Sequence, residues 1–460
     1  MGDSQSITNL DPEATGAKPI PRIYFGWWTV WITGILSGFG HGFYGLGISV
    51  FFKDLAAELE ISRAMTSLAA GIGRLEGGIT SPLTGWLSDR FGPKWIIFTG
   101  VCIAATGMIL MNFINSVTTY MIVWGLIIGV GLNIGLTVAV DKALNDWFIA
   151  KRGLAQGTKF GLIGVGSIIV LPIVTFLVTQ FGWRTACLIW GCFLLSCSPL
   201  ALVFVRQRRP EHYGLLPDGL KPDGLDQNQA VNGFEKDNNS DNSIFEPEFT
   251  FKQAVKTRAY WLLAIGFGVQ MLVMGGINIH LIPFLTDIGI DRVTAGGMMG
   301  IMVFFTIPSR FFSGVAADLV GGNKQNFLLA FGFLIQTLAL IVLLMGRETW
   351  TVYVFLILYG ISSGASTPLF ILTYGRYFGR NAFGAIFGSS MAVRAPISLI
   401  APVFSGWIFD TTGSYNMAFM VFVAITATSV LLMCAVRPPK LPSSSGSSIE
   451  SKITQDGEKR

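Results

Sequence analysis

"GWLSDRFGPK", residues 85–94, sets Asp89, Arg90 and Lys94 in one short polar turn between two apolar blocks. A looser copy, "GVAADLVGGNK", stands at 314–324, about 229 residues further on. Each copy follows the second apolar block of its half of the chain. "WF" at 147–148 and "YF" at 377–378 likewise occupy matching turns. An internal repeat on this scale implies two pseudo-equivalent units, each too apolar to stand alone in water.

The blocks themselves decide the class. Hydrophobic residues make up 51% of the 460 and charged residues only 13%, where a soluble chain carries roughly 25% charged residues. The excess falls in stretches near the ~20 residues that cross a bilayer as a helix. Twelve are expected, at about 26–52, 64–87, 95–113, 119–142, 153–179, 184–205, 260–286, 293–317, 326–345, 351–374, 382–409 and 415–436. The 55 glycines fall largely inside them, as close packing of membrane helices favours. The expected fold is an all-α membrane protein of two pseudo-symmetric six-helix bundles, spanning 23–206 and 256–437. Tails occupy 1–22 and 438–460. The stretch 207–255, rich in Asn, Asp, Gly and Pro, reads as a flexible linker.

With the N-terminus inside, the inner loops carry fifteen Lys/Arg and the outer loops five. This asymmetry puts both termini in the cytoplasm. The first twenty residues do not resemble a cleavable signal peptide. The net charge of +5 sits in loops and carries no nucleic-acid meaning. Cys102, Cys187, Cys192, Cys197 and Cys434 all lie in expected spans and read as apolar filler, not as disulfides or metal ligands. No cofactor or metal is expected.

The turn at 85–94 resembles the signature of the major facilitator superfamily, Gly-x-Leu-x-Asp-Arg-x-Gly-x-Lys/Arg. Gly85, Leu87, Asp89, Arg90, Gly92 and Lys94 match it. The second copy keeps Gly314, Asp318, Gly321 and Lys324, with Leu319 in place of the Arg. The resemblance implies a cytoplasmic gating motif, with Asp89 bonded to helix ends and basic groups of a neighbour. Within the superfamily, "YFGWWTVW" (24–31), "GISVFFKDL" (47–55), "WFIAKRGLAQG" (147–157) and "FGWR" (181–184) are similar to the monocarboxylate transporter and oxalate/formate antiporter branch.

Charges inside the blocks are the candidate site residues. Arg310, in "FFTIPSRFFSG" (304–314), is the sole charge between Met298 and Ala317. It lies eight residues before Asp318, roughly 12 Å deep at 1.5 Å per residue. A charge there costs about 3 kcal/mol or more unless it faces a cavity or a partner. The branch resemblance implies that Arg310 holds a substrate carboxylate; an inter-helix ion pair is the alternative. Some proton-coupled animal members carry an Asp one turn before this arginine, where this chain has Thr306. Arg394 resembles the span-eleven cation of the oxalate/formate antiporter, and either touches substrate or is paired structurally. Glu76 and Asp141 are candidate proton carriers, with an Asp141–Lys159 pair as the alternative. Arg74 stands two residues from Glu76 and points to another side of the helix. His280 either lines the outer vestibule or bonds a neighbouring backbone group. Tyr359 and Tyr374 are candidates to face the cavity.

The expected function is secondary active transport of a small organic anion, a monocarboxylate of the lactate or pyruvate type or a dicarboxylate such as oxalate. Transport would run by alternating access in the plasma membrane, with proton symport or anion exchange. Export of amphipathic or drug-like compounds is the alternative. An embedded enzyme or receptor is remote: His-Glu-x-x-His and the P-loop pattern are both missing from the sequence. Expected partners are the anion, protons and membrane lipid. Whether a single-span accessory protein is needed stays open.

Overall fold

The computed structural model describes residues 24–59, 63–219, 247–321, 324–346 and 348–440. The N-terminal tail, the middle of the linker, nearly all of the C-terminal tail and the side chain of Arg74 lie outside the described residues. Among those described there is no strand.

The helices run in chain order. We number them α1 (25–58), α2 (Arg63–Phe91), α3 (Pro93–Phe113), α4 (Val117–Trp147), α5 (152–181), α6 (183–204), α7 (Arg258–Asp287), α8 (Arg292–Val320), α9 (Gln325–Met345), α10 (Thr349–Phe378), α11 (Phe383–Thr412) and α12 (Asn416–Ala435). Nine stretches of the described residues are long and apolar enough to cross a membrane, α5 and α6 counting as one. Those two form a continuous run broken at Gly182, whose φ of 75° and ψ of 162° leave the helix. This order fits the twelve spans expected. In α1 and α4 the helix widens into π turns at Phe43–Gly47, Met121–Ile128 and Ile134–Val138.

Burial follows the two halves. Val30, Phe43, Trp124, Trp190 and their neighbours form one core built from α1 and from α3 to α6. Phe249, Phe267, Phe370 and Tyr374 centre a second, and Leu281, Phe355, Tyr359 and Phe419 a third, both from the C-terminal half save for Val138. Outward, Phe113, Phe176, Val203, Phe304, Phe331 and Val403 stand exposed, as lipid-facing positions should. Hydroxyls inside the helices donate to the carbonyl one turn back, as Thr33 does to Thr29 and Thr373 to Leu369, so they need no water.

Two helix pairs make most of the contact between the halves: α2 against α11 and α5 against α8. Each depends on glycine. A methyl group at Gly85 would overlap the carbonyl of Gly384, and one at Gly153 would overlap that of Gly314. Among the described residues, a side chain added at Gly296, Gly297 or Gly300, at the other end of α8, would meet nothing within 4 Å. The halves therefore close at the end holding the two polar turns.

Residues 207–219, which composition assigns to the linker, fold against the C-terminal ends of α2 and α4 in two 3-10 turns. Their Pro and Gly residues shape turns here, since the turns bury Pro217 and Asp218.

Candidate functional site: two latches and a buried cation cluster

Asp89, at the end of α2, accepts the amide N–H groups of Gly384 (3.0 Å) and Ala385 (2.7 Å). These are the first free amides of α11, so a carboxylate meets the positive end of that helix. Lys142 adds its ammonium 3.4 Å from Asp89, and also bonds Asp146 at 2.8 Å and the carbonyl of Arg380. The degenerate second turn does the same. Asp318, at the end of α8, accepts the amides of Gly153 (2.8 Å) and Leu154 (2.7 Å) at the start of α5, with Arg376 at 2.8 Å. Losing the arginine at position 319 therefore leaves the second latch intact. Arg90 points elsewhere, against the rings of Trp86 (5.3 Å) and Phe91 (5.5 Å) of its own helix. Gly92 takes a positive φ of 81° that lets α3 begin at once, and Lys94 lies in its first turn.

Midway along the helices a second group forms. Lys159 on α5 pairs with Asp141 on α4, both nearly inaccessible. The Lys159 ammonium also lies 4.0 Å from the ring of Phe160, whose other neighbour is the Arg310 guanidinium at 5.7 Å. Arg310 has a buried Nε with no partner and makes no ion pair among the described residues. Arg394 on α11 donates its Nε to the carbonyl of Ser390 (3.1 Å), while one terminal nitrogen is buried and unpartnered. Phe267 and Phe387 flank it at 4.0 and 5.0 Å, a cation–π setting. Tyr260, Tyr374 and Asp141 are its electrostatic neighbours. Lys159 and Arg394 thus both lie near one carboxylate, which Lys159 already holds, and Arg310 lies near Lys159.

The family model of the major facilitator superfamily matches residues 30–398. The chain belongs to the major facilitator superfamily. It is a membrane transporter, not an enzyme. Its relatives include monocarboxylate transporter 13 of Rattus norvegicus, 27% identical over 85% of this chain and 82% of that one. Monocarboxylate transporter 4 of the same organism is 25% identical, over 92% and 85%. Monocarboxylate transporter 2 of Homo sapiens is 23% identical, over 92% and 87%. The chain shares its fold with solved superfamily members. The proton:xylose symporter XylE superposes with a TM-score of 0.67 at 13% identity, covering 90% of this chain and 97% of that one. The human organic anion transporter MFSD10 gives 0.64 at 13%, covering 89% and 99%.

The remaining candidates sit in this superfamily fold as follows. Glu76 on α2 is 5% exposed. One oxygen accepts the Thr80 hydroxyl at 2.5 Å; the other is buried and bare, and no described cation pairs with it. Thr306 turns its hydroxyl to the carbonyls of Met302 (2.8 Å) and Gly360 (3.2 Å), locking α8 to α10. Tyr359 is fully buried in the C-terminal half, with Gln336 of α9 as its polar neighbour. Tyr374, equally buried, stands beside Arg394 and Ser390. His280 donates its Nε2 proton to the carbonyl of Pro402 at 3.0 Å, and its other ring nitrogen lies 3.3 Å from the Tyr415 hydroxyl. Of the sequence-derived candidates, then, Arg310, Arg394, Tyr374 and Asp141 come together. Thr306 and His280 are committed to helix contacts, while Tyr359 is buried in the C-terminal core with its hydroxyl unpartnered. The aromatic flank of Phe160, Phe267 and Phe387 was missed, as aromatic residues in apolar helices give no separate signal.

Proposed function

We propose that this superfamily member carries a small organic anion, with Arg310 as the main ligand of its carboxylate. The observation behind the reading is that two guanidiniums, half-buried Arg310 and buried Arg394, each keep one buried N–H without a partner. An unpaired buried charge is costly, so a site of this kind is built for an anion that arrives and leaves. Guanidinium suits the task because its planar fork matches a carboxylate. The names of the monocarboxylate transporters to which the chain is similar support the same substrate class. Arg394, set among aromatic rings, would read a second carboxylate or the body of the acid.

The anion would move by alternating access, the latch end facing the cytoplasm of a plasma-membrane protein with both termini inside. When the latches at Asp89 and Asp318 release, the site opens to that side. Glu76 is the better candidate for proton coupling, because Asp141 is already tied to Lys159 while one Glu76 oxygen is bare. Its charge must be answered either by a proton or by a cation that the moving helices bring near.

The test is uptake by proteoliposomes from a panel of labelled mono- and dicarboxylates, with and without a pH gradient. Saturable uptake of an acid, stimulated by inward protons, is the expected result. Transport of amphipathic cations with no carboxylate uptake would overturn the reading.

A further inference from the structure

The segment "RQRRPEHYGLLPDG" (206–219) leaves α6 and crosses the latch end. Gln207 donates to the Phe91 carbonyl at 3.1 Å, Arg209 reaches Glu248 at 2.8 Å, and Arg380 reaches Glu211 at 2.7 Å. At its end stands Asp218, the one non-glycine residue with positive φ (61°) among the described residues. Such a backbone is uncommon outside glycine and persists where its surroundings require it.

The requirement is visible in its contacts. The Asp218 carboxylate accepts three consecutive amides, Ile149 (3.0 Å), Ala150 (2.8 Å) and Lys151 (2.9 Å), in the turn between α4 and α5. The amides of Gly153 and Leu154 follow, and these belong to Asp318. Between them Arg152 bonds back to the Phe148 carbonyl at 3.0 Å. One short turn is thus gripped by two carboxylates. Asp218 holds it from its own half of the molecule, and Asp318 from the other half.

We infer that Asp218 is a positioning residue for the α5–α8 latch. Each time the halves separate, Asp318 leaves its amide pair, but Asp218 travels with the turn and keeps it folded. The Gly153 and Leu154 amides then stay aligned for reclosure without the turn having to reorder. The inference rests on the alternating-access reading and not on which acid is carried.

The test uses a cysteine-free form of the full chain carrying Ser313→Cys, a position on α8 only 8% exposed beside the α5 contact. A membrane-impermeant maleimide is applied to the latch end in vesicles. Asp218→Gly removes the carboxylate and tolerates the positive φ, so only the amide grip is lost. The labelling rate per folded molecule should rise roughly tenfold, the shift expected on losing hydrogen bonds to a charged group. Asp218→Asn, which keeps an acceptor oxygen and also tolerates this backbone, should restore most of the parental rate. Should Asp218→Gly fail to reach the membrane, Asp218→Asn alone should still label measurably faster than the parent. Asp318→Asn serves as the reference for an opened latch. If it raises labelling while the Asp218 variants do not, the positioning role is overturned. If neither does, the reading of the latch fails with it. Less folded protein with unchanged labelling per molecule would mark Asp218 as merely structural and also overturn the inference.

Discussion

At the scale of single residues, the cation cluster turns on what each charge already has. Among the described residues, Lys159 has Asp141, Arg310 has only the face of Phe160, and Arg394 only a carbonyl and two rings. Arg310→Ala should therefore cost the acid a charge-assisted bond worth about 1.5–3 kcal/mol, roughly ten- to a hundredfold in affinity. Arg310→Lys keeps the charge and loses the fork, so it too should weaken binding severalfold. Direct binding of a labelled monocarboxylate to purified variants measures both, and near-parental affinity in Arg310→Ala would dismiss the assignment. Arg394→Ala should reduce dicarboxylate binding more than monocarboxylate binding if its free nitrogen meets a second carboxylate; equal losses would leave it a structural role. Arg310 was legible in the sequence because a lone charge in an apolar run is conspicuous. The setting of Arg394 was not, since Phe267 comes from α7, far away in the chain, and Phe387 of its own helix gives no separate signal. Likewise His280 and Thr306 look available in sequence, and only packing shows their polar atoms already used.

At the scale of elements, the two latches are one device built twice. In each, a carboxylate ending one helix caps the start of a helix from the other half, and facing glycines permit the approach. The first copy was legible as a motif. The second had lost its arginine, yet the contact needs only Asp318 and the backbone amides, so degeneracy in the motif did not mean loss of the latch. The role of the chain at 207–219 was illegible for another reason. The three amides that Asp218 accepts lie 67 to 69 residues earlier, and no local pattern reports them. Asp89→Asn should weaken the latch-closed state by about 1–3 kcal/mol, slowing transport while leaving substrate affinity largely intact. Asp318→Asn should do the same. Because the two contacts share no partner, their effects on latch-end accessibility should add within a few tenths of a kcal/mol. Cysteine labelling at the latch end in single and double variants measures this. Affinity falling in step with rate would break the division between latch and site.

For the whole molecule, the central question is how movement of the anion is tied to an energy source. On the proposed reading, a gradient of the anion or of protons drives it. The latch-closed form buries Glu76 on α2, the same helix that carries Asp89 and packs on α11 beside Arg394. When the halves rock, α2 moves relative to α11, and the surroundings of Glu76 change with the latch. That links one titratable carboxyl to the conformational cycle without any contact to the substrate. The two-bundle plan was legible from the repeat and the apolar blocks, because hydropathy alone dictates helices in lipid. The distinction between Glu76 and Asp141 was not, because it depends on which of them found a cation in three dimensions. Glu76→Gln mimics the protonated acid permanently and keeps its shape. It should abolish uptake driven by a pH gradient, while exchange of labelled for unlabelled acid continues at a similar rate, since exchange requires no change of protonation. Asp141→Asn should instead impair both modes, as it leaves Lys159 buried without its partner, a loss of about 3–5 kcal/mol in comparable buried pairs. Parallel measurements of gradient-driven uptake and of exchange in the same proteoliposomes separate the two residues. Loss of both modes in Glu76→Gln, with the protein still folded and binding its acid, would assign the proton to another group.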